Sequence, residues 1–107
     1  MVRDAAIQRT IKDIKNSDIR IQITGYVKDI VENDYIILND KTEEIKVDIQ
    51  AVEYSFQKNN LINVIGELNF KLEGEKEVEA EIIQDKSNLN FDYYLKLYEI
   101  KKELKLV

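Results

Sequence analysis

The sequence contains no cysteine, histidine, proline or tryptophan, and only three glycines and one methionine. Without cysteine there is neither a disulfide framework nor thiolate chemistry. Without histidine, the usual general base and the commonest transition-metal ligand are missing together. No apolar run is long enough to cross a bilayer, and the N-terminus carries no signal-peptide core. These absences predict a soluble, intracellular protein with no membrane contact, no cofactor and no metal. A length of 107 residues gives room for one domain and one core. Asp and Glu number 21 against 16 Lys and Arg, a formal net charge of −5. That balance opposes strong non-specific attachment to nucleic acid through its phosphates, so only a local basic groove could provide it.

Between residues 19 and 85 the chain reads as strands. Ile19 to Thr24 alternates apolar and polar residues, and after Gly25 the alternation resumes from Tyr26 to Ile30. Such alternation marks a half-buried strand, and a glycine inside one marks a bulge or a sharp bend. Glu32-Asn33-Asp34 is a turn, Tyr35 to Leu38 a second strand, Asn39 to Glu43 a second turn, and Glu44 to Ile49 a third strand. Residues 50–60 have no clear period and fit a loop or a short helical turn. Leu61 to Phe70, interrupted by Gly66, is a fourth strand. After the turn Glu73-Gly74-Glu75 comes a fifth, Glu77 to Gln84, with Val78, Ala80 and Ile82 on one face. The alternation assigns Ile21, Ile23, Val27, Ile36, Leu38, Ile45, Val47, Val64, Ile65 and Leu68 to the core. Upstream, Ile7, Ile11 and Ile14 fit a helix, or an extended segment sealing the bottom of the sheet.

The last segment, Phe91 to Val107, reads as a helix that Asn90 or Asp92 can cap. It carries two apolar stripes, where a small soluble domain needs one. At about 100° per residue, Phe91, Tyr94, Leu95 and Tyr98 share one side and Tyr93, Leu97, Ile100 and Leu104 the other. The second set is spaced 4, 3, 4, the rhythm of helices that pack on helices. Either the first stripe docks on the domain and the second meets a partner, or the helix is wedged between two parts of one core. Catalysis finds no support. The carboxylates lie in turns or alternate along strands, and Asp40 beside Thr42 has the chemistry of a hairpin turn. Glu73, Glu75, Glu77, Glu79 and Glu81 form a periodic acidic stripe, expected to face solvent.

Five strands, two of them with an internal glycine, and a break after the third predict an all-β fold: a five-stranded OB-fold Greek-key barrel with a C-terminal α-helix. Residues 1–18 form an N-terminal segment, 19–88 the barrel and 89–107 an oligomerisation helix. A flat sheet capped by the helix is the alternative.

Particular segments resemble single-stranded DNA-binding OB-fold proteins. Ile11-Lys12-Asp13-Ile14-Lys15-Asn16 followed by Ile21 to Val27 resembles their first strand. Ile36 to Val47 resembles their second hairpin, with Glu43 where a glycine is usual, and Val64-Ile65-Gly66-Glu67-Leu68 resembles their fourth strand. Leu89 to Tyr98 looks like the start of the C-terminal helix of the smallest subunit of replication protein A. Telomere-capping proteins of the Stn1 and Ten1 kinds share the layout.

The resemblance implies a small, non-enzymatic structural subunit of a replication protein A-like complex for DNA replication and repair. Its partners would be larger OB-fold subunits, joined in a helix bundle through Tyr93, Leu97, Ile100 and Leu104. Single-stranded DNA would be reached mainly through the complex. In such domains aromatic side chains stack on bases and basic ones follow phosphates. Tyr26 and Tyr35 would then be stacking platforms, and Arg20, Lys28 and Lys46 phosphate contacts. Location would be cytoplasmic in an archaeal-like cell and nuclear in a eukaryotic one. Alternatives are an autonomous single-strand-binding module, a homodimer included, and a protein-only OB adaptor.

Overall fold

Alternating β-branched residues form six strands in the computed structural model, which describes residues 5–106. Residues 1–4 of the N-terminal segment and Val107 of the expected helix lie outside the described residues. The strands are β1 (Ile7–Gln8), β2 (Arg20–Val31), β3 (Tyr35–Asn39), β4 (Glu44–Asp48), β5 (Leu61–Phe70) and β6 (Lys76–Asp85). A single 3₁₀ turn spans Ile11–Asp13, and one helix, α1, spans Phe91–Glu103. β2, β3 and β4 form an antiparallel meander. β6 runs parallel to β4, and β5 pairs antiparallel with both β6 and β2. That last pairing closes a five-stranded barrel, and β1 adds to β2 in parallel outside the closure. The architecture is an OB-fold with a terminal helix, as the sequence predicts.

Closure depends on β2 serving two neighbours. Arg20 to Tyr26 pair with β5, while Tyr26 to Val31 pair with β3. Gly25 sits where the strand changes partners, and a Cβ there would lie 2.8 Å from the Asn39 carbonyl oxygen. At Gly66 a Cβ would overlap the Glu79 carbonyl oxygen on β6. Both glycines permit close backbone approach at bends.

Of the expected core, Ile21, Ile23, Val27, Ile36, Leu38, Ile45, Val47, Val64 and Leu68 are buried. Ile65 is only half-buried, and Ile62 takes its place inside. The reason is period 2: with Ile62 and Val64 inward, Ile65 must turn outward. A second correction falls on β6. Ile65 pairs with Ile82 but Gly66 with Ala80, so Glu81 is an extra, bulged residue. The bulge shifts the alternation by one. Val78 and Ala80 point inward, Ile82 is left exposed, and Ile83 packs on the core instead. The acidic stripe is also broken, because Glu77 is buried and its carboxylate meets Lys71 Nζ at 2.9 Å.

From Ala5 on, the N-terminal segment is extended, with one 3₁₀ turn, and Ile11 and Ile14 join the core cluster. Arg9 and Asp18 form a buried two-pronged pair, with Nε to Oδ2 at 2.9 Å and Nη2 to Oδ1 at 3.1 Å. Asp40, 1% exposed, accepts from the Ile11 backbone N–H at 2.7 Å. It also accepts from the Thr42 N–H and hydroxyl and from the Glu43 N–H.

Truncation at a fully buried isoleucine tests the register. Ile23→Ala is expected to lower unfolding stability by about 2–5 kcal/mol, measured by urea denaturation, whereas Ile82→Ala should cost less than about 1 kcal/mol. Equal losses at the two positions would contradict the bulge at Glu81.

Candidate nucleic-acid interface and assembly face

α1 is built to dock by one side. Asn90 caps it, its side-chain oxygen accepting from the Tyr93 N–H at 3.1 Å. At the other end the helix stops at Glu103 rather than running to Val107. Lys105 adopts φ 59°, the Leu106 N–H donates to Lys101 O, and the Lys105 N–H donates to Lys102 O. This is a Schellman stop with lysine in the left-handed position usually held by glycine.

Phe91 and Tyr98 are buried, and Tyr94 and Leu95 are half-buried. Phe91 meets the Tyr26 ring edge-on, with centroids 5.3 Å apart. Lys41 Nζ lies 5.9 Å from the Tyr26 centroid and 5.6 Å from that of Phe91, and pairs with Asp92 at 3.0 Å. Gln8 Nε2 donates to the Tyr94 hydroxyl at 2.9 Å. Asp13 receives the Tyr98 hydroxyl at 3.0 Å and Lys102 Nζ at 2.9 Å. Burial alone would raise the Asp13 pKa. The hydrogen bonds from Lys102 and Tyr98, with the Lys102 charge, outweigh it and hold the carboxyl below its ordinary value. Tyr93, Leu97, Ile100 and Leu104 remain exposed, at 65%, 39%, 53% and 64%.

The five residues expected to contact nucleic acid do not converge. Arg20 lies at the start of β2 opposite Glu67 of β5. Its guanidinium grips both carboxylate oxygens of Glu81, the Nε bond being 2.8 Å. Tyr26 is six positions along the same strand, about 20 Å away, and its ring forms part of the helix dock. Lys28 pairs with Glu44, which also accepts from Asn39 Nδ2 at 3.0 Å. Only Tyr35 and Lys46 stand together: Lys46 Nζ rests 4.2 Å from the Tyr35 centroid, a cation–π contact. They line a shallow groove over β3 and β4 with Ile37, Glu44 and Ile45, walled by Glu75 from the β5–β6 turn. The groove continues past Glu43 toward Lys76 and Ile11. Glu43, Glu44 and Glu75 surround its two lysines, a poor setting for a phosphate.

Sequence reasoning missed Lys41 and Asp13 as helix anchors. Their partners lie 51 residues away in one case and 85 and 89 in the other, so no local pattern could reveal them. It also missed the β5–β6 turn as a groove wall, although Glu73-Gly74-Glu75 marks that turn in the sequence.

The barrel and docked helix define the class: an OB-fold domain closed by a C-terminal helix. Among solved structures, a chain of the S. pombe Stn1-Ten1 complex superposes with TM-score 0.76 and 20% identity, covering 94% of each chain. The S. pombe telomere-capping protein Ten1 gives 0.74 and 20% identity, covering 92% of this chain and 99% of its own. A chain of a replication protein A heterotrimer bound to single-stranded DNA gives 0.63 and 16% identity over 83% of this chain and 75% of its own. At these identities the likeness establishes a shared fold. No protein-family model matches the sequence, and no curated protein matches it significantly.

The lowered pKa of Asp13 makes helix docking acid-sensitive. Its contribution is complete above the ordinary carboxylate value of 3.8 and is lost as pH falls through the lower folded value. Thermal melts from about pH 7 to about pH 2 should show Asp13→Asn less stable at neutral pH and less sensitive to acid. Parallel pH profiles for the variant and the wild type would contradict this.

Proposed function

We propose that this chain is a small structural subunit of a replication protein A-like single-stranded DNA-binding complex. It joins larger OB-fold subunits through α1 and contributes weak or accessory DNA contact. The observation that carries this reading is the two-sided helix. One stripe is fixed to the barrel, and four large apolar side chains on the other stand in solvent, a patch that soluble monomers seldom leave bare. The fold likeness supports it: two of the similar chains come from multi-subunit assemblies, the Stn1-Ten1 complex and a replication protein A heterotrimer bound to single-stranded DNA. The charge pattern supports the accessory role in DNA contact. Arg20 and Lys28 are held by carboxylates, and Tyr26 is engaged by the helix. Tyr35, stacking on a base with Lys46 beside it, is the contact that remains.

Two measurements test this. A fluorescence titration of the isolated chain with single-stranded DNA at physiological salt should give micromolar or weaker affinity, falling further in Tyr35→Ala. Nanomolar binding would favour an autonomous module. The native complex, isolated through a tagged copy, should contain a larger OB-fold chain and bind single-stranded DNA. Leu97→Glu with Ile100→Glu should lose that chain while the variant's own melt shows a folded barrel. Retention of the larger chain by the folded double variant would end the assembly role of α1.

A further inference from the structure

We infer that, away from its larger partner, the chain pairs with a second copy of itself through α1, the two helices antiparallel. This rests on the reading of the exposed stripe as an assembly surface and adds what covers it in the free protein. The stripe is palindromic. Its spacings 4, 3, 4 read the same from either end, so a two-fold axis at its midpoint sets Tyr93 beside Leu104 of the second copy and Leu97 beside Ile100. Such self-matching is what a two-fold interface requires.

The flanking charges match in the same sense. At about 100° per residue, Lys96 and Glu103 fall together along one edge of the stripe, and Tyr94 and Lys101 along the other. Lys96 and Glu103 are exposed. In an antiparallel pair like edges face each other, so Lys96 meets Glu103 of the second copy, and the symmetry makes the contact twice. The other edge is bonded to its own domain, Tyr94 and Lys101 both reaching Gln8. In a parallel pair unlike edges would face, and Lys96 would meet Lys101 of the second copy, also twice. Charge therefore selects the antiparallel arrangement. Nor do the barrels obstruct it: the docked stripe is centred about 140° round the helix from the exposed one, which leaves the barrels on opposite sides.

Four residues per copy make a small interface compared with the ~1,200–2,000 Å² of stable complexes. The dimer is accordingly weak, with a dissociation constant on the order of 100 μM, and a larger subunit offering more surface displaces it.

Sedimentation equilibrium from about 10 μM to about 1 mM should show a monomer–dimer equilibrium. Lys96→Glu, which turns both attractive pairs repulsive, should weaken it about tenfold, and adding Glu103→Lys should restore it. Because the chain has no cysteine, orientation can be read by oxidative cross-linking. Tyr93→Cys mixed with Leu104→Cys should yield the mixed disulfide, and neither variant alone should cross-link. Self-linking of each variant, or failure of the charge swap to restore association in a folded protein, would overturn the antiparallel pair. A wild-type chain that stays monomeric at about 1 mM would overturn self-pairing altogether. The assembly reading has its own arm: loss of the larger subunit on Leu97→Glu with Ile100→Glu supports it whether or not the free chain dimerises. A dimer abolished by that double variant, with the larger subunit still bound, would sink the assembly reading and leave self-pairing intact.

Discussion

The buried carboxylate of Asp40 ties the N-terminal segment to the barrel, and the placement of the helix follows from that tie. One oxygen satisfies the Thr42 and Glu43 N–H groups and so shapes the β3–β4 turn. The other takes the Ile11 N–H, 29 residues away in sequence. Hydrogen bonds to a charged group contribute about 1.5–3 kcal/mol each, and stranding this carboxylate would cost more. Held there, the 3₁₀ turn presents Asp13 to Tyr98 and Lys102. Those contacts fix the rotation of α1, and the rotation decides which stripe reaches solvent. A residue with no surface of its own thus determines what surface the protein offers.

The parts legible in the sequence were those governed by one period at a time. Alternation gave the meander and its buried face, because Val27, Ile36, Leu38, Ile45 and Val47 are all matched across strands. Two helical stripes on opposite sides could be separated because each obeys the same 3.6-residue period. Reading failed where the period slipped. The bulge at Glu81 leaves no compositional mark, so Ile82 looks like core until the pairing of Ile65 and Gly66 with β6 is known. The helix end was hidden for a different reason: Lys105 occupies a position where glycine would have announced the stop. Face membership also proved insufficient for the residues expected to contact nucleic acid. Alternation put Arg20, Tyr26 and Lys28 outside correctly, but their partners come from β6, α1 and β4. A basic residue on the right face is not a free one.

The outer face therefore carries charge without much field. Lys28 and Arg20 are matched by Glu44 and Glu81, and the groove's carboxylates outnumber its lysines. Counterion release, the main source of affinity for a polyanion, requires cations that a phosphate can claim. A pair already made must be broken first. Tyr35 with Lys46 is the exception, since a cation above an aromatic ring can slide aside and meet a phosphate while the ring takes a base. The face thus offers an aromatic–lysine pair beside cations already matched by carboxylates.

The same economy bears on the assembly role proposed for the helix. An isolated helix of thirteen residues is marginal in water, and a partner that had to fold it on contact would lose affinity to the entropy of ordering. Here the ordering is done beforehand by Phe91, Tyr98, the Asn90 cap and the Asp13 contacts. Tyr93, Leu97, Ile100 and Leu104 are held in line before any partner arrives. A barrel that spends its aromatic Tyr26 on docking the helix gives up a stacking platform, and it gains in exchange a rigid apolar ridge. That exchange fits the subunit role proposed for the chain better than an autonomous DNA-binding one.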